Sequence, residues 1–240
     1  MGLPGVLSLF GSFWRRHDNR GNGSKGGEPT SDWLEAERLR MVDEQIARRG
    51  IRDERVLAAM RKVERHRFVP ESQWSLAYGD HPLPVGEGQT ISQPYIVALM
   101  SEALALQGTE RVLEVGTGSG YQAAILAELA EDVYTVEILP GLAERAASTL
   151  QELGYRNVHV RVGDGGEGWA EHAPYQGIVV TAAPPEVPRA LTEQLDDGAR
   201  LAIPVGVSSQ ELKLYTRTAD GLEVQTLAPV RFVPLTHRRQ

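Results

Sequence analysis

The sequence predicts an α/β fold: a mostly parallel sheet with helices on both faces, antiparallel strands at its C-terminal end and an N-terminal helical extension. Three observations predict it. From residue 111 onward, short β-rich runs alternate with stretches of helical period, the pattern of parallel strands joined by crossover helices. The last two β-rich runs have no helix between them, which makes them an antiparallel pair. Before residue 111, apolar residues recur at helical spacing instead. With 240 residues, 41% of them hydrophobic and 24% charged, the chain has the composition of a globular protein built on one core.

Taken in order, residues 2–14 are apolar but broken by Pro4, Gly5 and Gly11, and Arg15 and Arg16 follow the run instead of preceding it. That layout is wrong for a secretory signal, and it leaves a frayed terminus or a short membrane-touching segment through Leu7, Leu9, Phe10, Phe13 and Trp14. Residues 19–30 are rich in Gly and polar residues, a composition of flexible tethers. The folded part is expected from Ser31, where Ser31 or Asp32 caps a helix carrying Leu34, Leu39, Met41, Val42 and Ile46 and stopped by Gly50. A second helix, capped by Asp53, presents Val56, Leu57, Met60 and Val63 before the break at Pro70. Residues 79–93, dense in Gly and Pro, read as an ordered loop, and Pro94 opens a helix with Ile96, Val97, Leu99, Met100 and Leu104. Strands are expected at 111–115, 133–137, 158–162, 178–182 and 201–205, helices at 121–130, 142–153 and 187–195, and the antiparallel pair at 212–216 and 222–233. The division that follows is a segment 1–30 and a domain 31–240, itself composed of N-terminal helices and a loop (31–108) and a sheet core (109–240). No internal repeat is visible.

Composition excludes several functions. A net charge of −7 provides no general attraction for a phosphate backbone, so no nucleic-acid partner is expected. No run is long and apolar enough to span a membrane. Zero cysteines remove disulfides, thiolate metal sites and cysteine nucleophiles, and they suit the cytoplasm. The six histidines never stand at HxxxH or HExxH spacing, so no metal is expected.

The chemistry concentrates in Arg111-Val-Leu-Glu-Val-Gly-Thr-Gly-Ser-Gly120, where a strand runs into Gly116, Gly118 and Gly120 and then a helix. Alternate glycines allow a tight turn and a close approach of backbone to ligand. The GxGxG spacing suits a nucleoside without pyrophosphate better than a dinucleotide, and a merely tight strand–helix junction is the other reading. Glu137 ends the next strand about twenty residues on, where an acid can accept both ribose hydroxyls. Asp164, before Gly165, ends the third, where a side chain and a backbone amide can meet an adenine edge; an ordinary strand-end loop residue is the other reading of each acid taken alone. Glu114, Glu137 and Asp164 thus close three successive strands around one crevice, which favours a cationic nucleoside such as S-adenosylmethionine.

Four segments, Gly88-Gln-Thr-Ile-Ser-Gln-Pro-Tyr95, Leu113-Glu-Val-Gly-Thr-Gly-Ser-Gly-Tyr-Gln122, Val179-Val-Thr-Ala-Ala-Pro-Pro-Glu186 and Val230-Arg-Phe-Val-Pro-Leu-Thr236, resemble those of protein-L-isoaspartate O-methyltransferases. The likeness is colinear from about Leu39 to Thr236, and the first thirty residues have no recognised counterpart. It implies a Rossmann-like methyltransferase core, S-adenosyl-L-methionine as cofactor, and methyl transfer to the free α-carboxylate of L-isoaspartyl residues in damaged proteins and peptides. It also implies Ser92 as the active-site residue, with Thr90 and Ile91 shaping the substrate wall; the plainer alternative has Thr90 and Ser92 capping the helix at Pro94. Thr236 matches a position near the cofactor, and a polar strand end is its other reading. Asp80 is expected to organise the loop, His81 to take no part in chemistry, and Arg231 to pair with an acid at the sheet edge more than to clamp substrate. Tyr95 and Val97 receive no role. In one departure, Gln176 stands where relatives have an aspartate, which puts a local salt bridge in doubt. A monomer is expected. Rival readings are a methyltransferase for another acceptor and a cofactor-binding scaffold without activity.

Overall fold

The computed structural model describes residues 29–237. The membrane-touching or frayed segment expected at 2–14, and all but the last two residues of the tether expected at 19–30, lie outside the described residues. Helix α1 (Ser31–Arg40) is capped by Thr30, whose hydroxyl accepts from the Trp33 N–H, so neither Ser31 nor Asp32 is the cap. The run continues as a π-helical turn (Met41–Ile46) and a 3₁₀ turn (Ala47–Arg49), and stops at Gly50 with φ 107°. Asp53 caps α2 (Glu54–Lys62), accepting from the Arg55 and Val56 N–H groups. That helix ends well before Pro70, and two 3₁₀ turns (Arg65–Phe68 and Glu71–Leu76) follow.

The expected loop at 79–93 contains a small hairpin, β1 (Leu83–Gly86) and β2 (Gln89–Ile91). Its tip holds three consecutive residues at positive φ, Gly86, Glu87 and Gly88. Helix α3 (Pro94–Leu104) then leads into the main sheet.

The sheet has seven strands in the order β5-β4-β3-β6-β7-β8-β9: β3 (Arg111–Val115), β4 (Asp132–Glu137), β5 (Val158–Val162), β6 (Tyr175–Val180), β7 (Leu195–Val205), β8 (Gln210–Thr218) and β9 (Gly221–Val230). Strands β3 to β7 pair in parallel, and β8 and β9 add on antiparallel. Helices α4 (Tyr121–Ala127) and α5 (Pro140–Glu152) follow β3 and β4. The chain moves outward from β3 in one direction and from β6 in the other, so a crevice opens at the carboxyl ends of β3 and β6, where ligands of such sheets bind.

Alternation along β3 separates two cores. Val112 joins the apolar cluster of α2, α3 and α4, whereas Leu113 and Val115 join a smaller cluster with Tyr175, Ile178 and Leu191. Glu114 therefore shares the face of Val112, toward the helical layer. The second face is thinly covered: α6 (Arg189–Glu193) is shorter than the expected helix at 187–195, and 3₁₀ turns (Gly165–Glu167 and Ala170–His172) fill the β5–β6 connection. Leu195 belongs to β7, whose pairing with Tyr175 outweighs the turn-like Asp196-Asp197-Gly198. The last strand ends at Val230, not 233, because the tail turns back along β6. There the Ala183 N–H donates to Val233 O at 2.8 Å and the Leu235 N–H to Ala183 O at 2.9 Å.

Candidate functional site

A cavity of about 250 Å³ lies at that crevice. It is lined by Thr90, Ile91 and Ser92 from the hairpin side and by Glu114, Gly116 and Gly118 at the end of β3. Glu137, Gly165, Thr181 and Thr236 also reach it. Residues separated by more than a hundred positions in sequence thus meet in one space.

The glycine loop is held from both sides. Gly116 sits at φ 94°, and a β-carbon there would stand 2.4 Å from Thr181 Oγ1. That hydroxyl lies 2.6 Å from Gly116 O and 3.1 Å from Val115 O, bracing the turn against the end of β6. Thr181 lies inside a segment that carried the resemblance, yet sequence reasoning assigned it nothing; only its contact across the sheet reveals its part. Gly120, at φ 90°, is the N-cap of α4 and packs on Leu150 rather than lining the cavity.

Glu137 is 5% exposed, and its two oxygens accept from the Gly118 N–H (2.8 Å) and the Leu139 N–H (3.0 Å). Each oxygen keeps a second lone pair for a ligand hydroxyl. Glu114 is fully buried; Thr135 Oγ1 donates to its Oε2 at 2.5 Å, and Thr117 Oγ1 lies 2.6 Å from Thr135 Oγ1. Burial first, and the nearby Glu137 charge in addition, push its carboxyl up to about 8 against the lowering by Thr135, so it is largely neutral at pH 7. Glu114 Oε1 is buried with no hydrogen-bond partner among the described residues.

Asp164 stands beside the cavity, which its neighbour Gly165 lines. Its carboxylate accepts from the Gly166 N–H at 2.9 Å and faces His237 Nδ1 at 3.1–3.2 Å. Nothing in the local sequence pointed to His237, which comes to Asp164 with the returning tail. On the substrate side, Ser92 is half-buried and caps nothing: the N-cap of α3 is Gln93, with no side-chain cap bond, so the capping alternative for Thr90 and Ser92 does not hold. Asp80 does organise the loop, since Arg49 pairs with its Oδ2 at 2.6 Å and Gln93 Nε2 donates to its carbonyl at 3.2 Å. His81 is exposed, with Nδ1 3.2 Å from Pro82 O. Arg231 forms no ion pair among the described residues, against expectation, because the chain leaves the sheet at Val230. The departure at Gln176 has a local reason. Its Oε1 accepts from the Arg111 N–H at 2.9 Å and its Nε2 donates to Asp196 Oδ2 at 2.7 Å, so a carboxylate in its place would face another carboxylate.

These residues fit S-adenosylmethionine: a turn with glycine at alternate positions, a buried carboxylate with free lone pairs, and unpartnered buried oxygens on residues that line the cavity. Comparison with known proteins agrees. A protein-L-isoaspartate O-methyltransferase of Gloeobacter violaceus is 57% identical over 201 residues, covering 83% of this chain and 98% of that protein. One from Synechococcus sp. is 52% identical and covers 96% of this chain and 100% of its own, so its likeness takes in part of the N-terminal segment, for which the sequence alone suggested no counterpart. Among solved structures, a protein-L-isoaspartate O-methyltransferase superposes with a TM-score of 0.74 at 28% identity, covering 83% of this chain and 65% of that one. A Plasmodium falciparum structure described as a complex with S-adenosyl-L-homocysteine shares the fold, with a TM-score of 0.72 at 24% identity over 84% of this chain and 99% of that one. Residues 36–240 match the family described as protein-L-isoaspartate(D-aspartate) O-methyltransferase (PCMT). With the fold, the cavity and this match in agreement, the chain belongs to the protein-L-isoaspartate(D-aspartate) O-methyltransferase family.

Proposed function

We propose that this protein methylates the free α-carboxylate of L-isoaspartyl residues in damaged proteins and peptides, starting their repair, with S-adenosyl-L-methionine as cofactor. The observation that carries the reading is the meeting of the Ser92 segment with the glycine loop and Glu137 on one cavity. When bound, S-adenosylmethionine supplies a methyl group on a positively charged sulfur.

The acceptor needs no base. An isoaspartyl α-carboxyl resembles a chain terminus with a pKa of ~3.5 and arrives ionised at neutral pH. The protein's task is alignment, which supplies on the order of 7–11 kcal/mol of barrier lowering in well-oriented reactions. In this reading the Ser92 hydroxyl donates to the carboxylate and orients it, with Thr90 and Ile91 forming the adjoining wall. In the same reading the β1–β2 hairpin, whose Thr90 and Ile91 line the cavity, closes over the bound cofactor to exclude water. Glu137 takes the ribose hydroxyls, and Asp164 with Gly165 takes the adenine edge. Glu114, Gly116, Gly118 and Thr236 complete the cofactor side, and Gly120 starts the helix behind them. Recognition runs through peptide backbone and carboxylate, so many sequence contexts are accepted, and the ester then cyclises to a succinimide by the substrate's own chemistry.

The reading treats residues 31–240 as the methyltransferase domain, 31–108 supplying the helices and substrate loop and 109–240 the cofactor core, with residues 1–30 as an appended segment. It also takes the protein as a cytoplasmic monomer; the cysteine-free sequence supports that compartment, and sedimentation tests the monomer. Among the described residues no helix is long and apolar enough to cross a membrane.

The test is incubation with methyl-labelled cofactor and an isoaspartyl peptide beside its aspartyl twin. Label in the first alone is expected. Equal label in both would place the acceptor elsewhere, and calorimetric binding with no ester formed would reduce the protein to a cofactor binder.

A further inference from the structure

One polar side chain of the cavity is not used by the reaction as described. Gln122, the second residue of α4 and just past the glycine loop, is 6% exposed and lines the cavity. Its Nε2 donates to Ser101 Oγ at 3.0 Å, and Ser101 Oγ donates to Val97 O at 2.8 Å within α3. A hydroxyl has a single proton, and here it is engaged by Val97. Ser101 can therefore only accept from Gln122, which determines which end of the amide faces it. Gln122 Oε1 is turned from Ser101, buried, and without a hydrogen-bond partner among the described residues.

Glu114 Oε1 is likewise buried on the same cavity without a partner among the described residues, and it becomes an acceptor once the carboxyl gives up its proton. A buried acceptor without a donor costs ~1–3 kcal/mol. With Glu114 ionised, two such acceptors on one cavity suit a ligand group with several N–H bonds. We infer that Gln122 is a cofactor-binding residue whose Oε1, together with Glu114 Oε1, accepts hydrogen bonds from the ammonium group of the cofactor's methionine portion, its orientation set by Ser101. A peptide N–H carries one proton and satisfies one acceptor, whereas an ammonium carries three. A cation also matches Glu114, since a positive neighbour favours the ionised carboxylate over the neutral one. The inference rests on the reading of this cavity as the S-adenosylmethionine site.

The experiment is calorimetry of the full chain with two ligands: S-adenosylhomocysteine, and 5′-methylthioadenosine, which keeps the nucleoside and sulfur but lacks the amino acid portion. Gln122→Leu is expected to weaken S-adenosylhomocysteine about tenfold or more, the effect of losing a hydrogen bond to a charged group, and to leave methylthioadenosine within about twofold. Ser101→Ala keeps Gln122 Oε1 but removes the hydroxyl that holds the amide, and a smaller loss confined to S-adenosylhomocysteine is expected. Equal loss of both ligands would overturn the inference in favour of general distortion of the site. Unchanged S-adenosylhomocysteine affinity with a raised KM for an isoaspartyl peptide would overturn it and assign the oxygen to the peptide. Failure of the unaltered protein to bind S-adenosylhomocysteine would instead strike the cofactor reading itself.

Discussion

Glu137→Gln keeps the size of the side chain while removing its charge and one acceptor. In the folded protein both carboxylate oxygens are engaged, by the Gly118 N–H at 2.8 Å and the Leu139 N–H at 3.0 Å. Glutamine has one carbonyl oxygen, so its NH₂ must face one of these N–H groups, donor against donor. A hydrogen bond to a charged group contributes ~1.5–3 kcal/mol, and a buried donor without an acceptor costs ~1–3 kcal/mol. The ligand-free variant is therefore expected to lose ~2–4 kcal/mol of stability. Separately, its affinity for S-adenosylhomocysteine is expected to fall roughly ten- to a hundredfold, because the lone pairs proposed for the ribose hydroxyls go with the carboxylate. Urea denaturation followed by circular dichroism reads the first effect and calorimetry the second. Affinity equal to that of the unaltered protein would refute the ribose placement. Weakened binding with undiminished ligand-free stability would refute the claim that Glu137 holds the glycine loop.

Three further outcomes are expected. Ser92→Ala should lower kcat on the order of ten- to a hundredfold through lost alignment while leaving calorimetric affinity for S-adenosylhomocysteine unchanged; an unchanged kcat would remove the serine from the reaction. Glu114 has a folded pKa pushed up to about 8 from an ordinary 4.5, so the native state holds a proton that the unfolded chain has lost. Ligand-free stability should accordingly decline by about 1 kcal/mol per unit as pH rises through that window, a slope that Glu114→Gln abolishes and that denaturation at a series of pH values reads directly. Gln176→Asp sets a carboxylate against Asp196 and should destabilise by ~1–2 kcal/mol in thermal melts; adding Asp196→Asn should restore stability, and additive losses would show that the two residues are not coupled.

Strands β3 and β5 were legible to the residue, because runs such as Val-His-Val-Arg-Val state their β preference locally. The hairpin was not: its strands have four and three residues, too few to show a period of two among glycines and prolines. The start of β7 was missed for the opposite reason, since Asp196-Asp197-Gly198 has the local chemistry of a turn and is carried in the strand as an irregularity between Leu195 and Arg200, which pair with β6. The resemblance carried Ser92 and Thr236 to the cavity but gave no hint of Thr181, His237 or the orientation of Gln122.

By itself, then, the sequence determined the alternation of strand and helix, the glycine turn after β3 and the acids that end successive strands, since each follows from backbone preference within a few residues. Tertiary structure decided which oxygens are engaged and which face the cavity unpaired. Those outcomes depend on partners such as Asp164 and His237, 73 positions apart, or Gln122 and Ser101 on different helices, whose meeting is set by how the layers pack and by no local pattern.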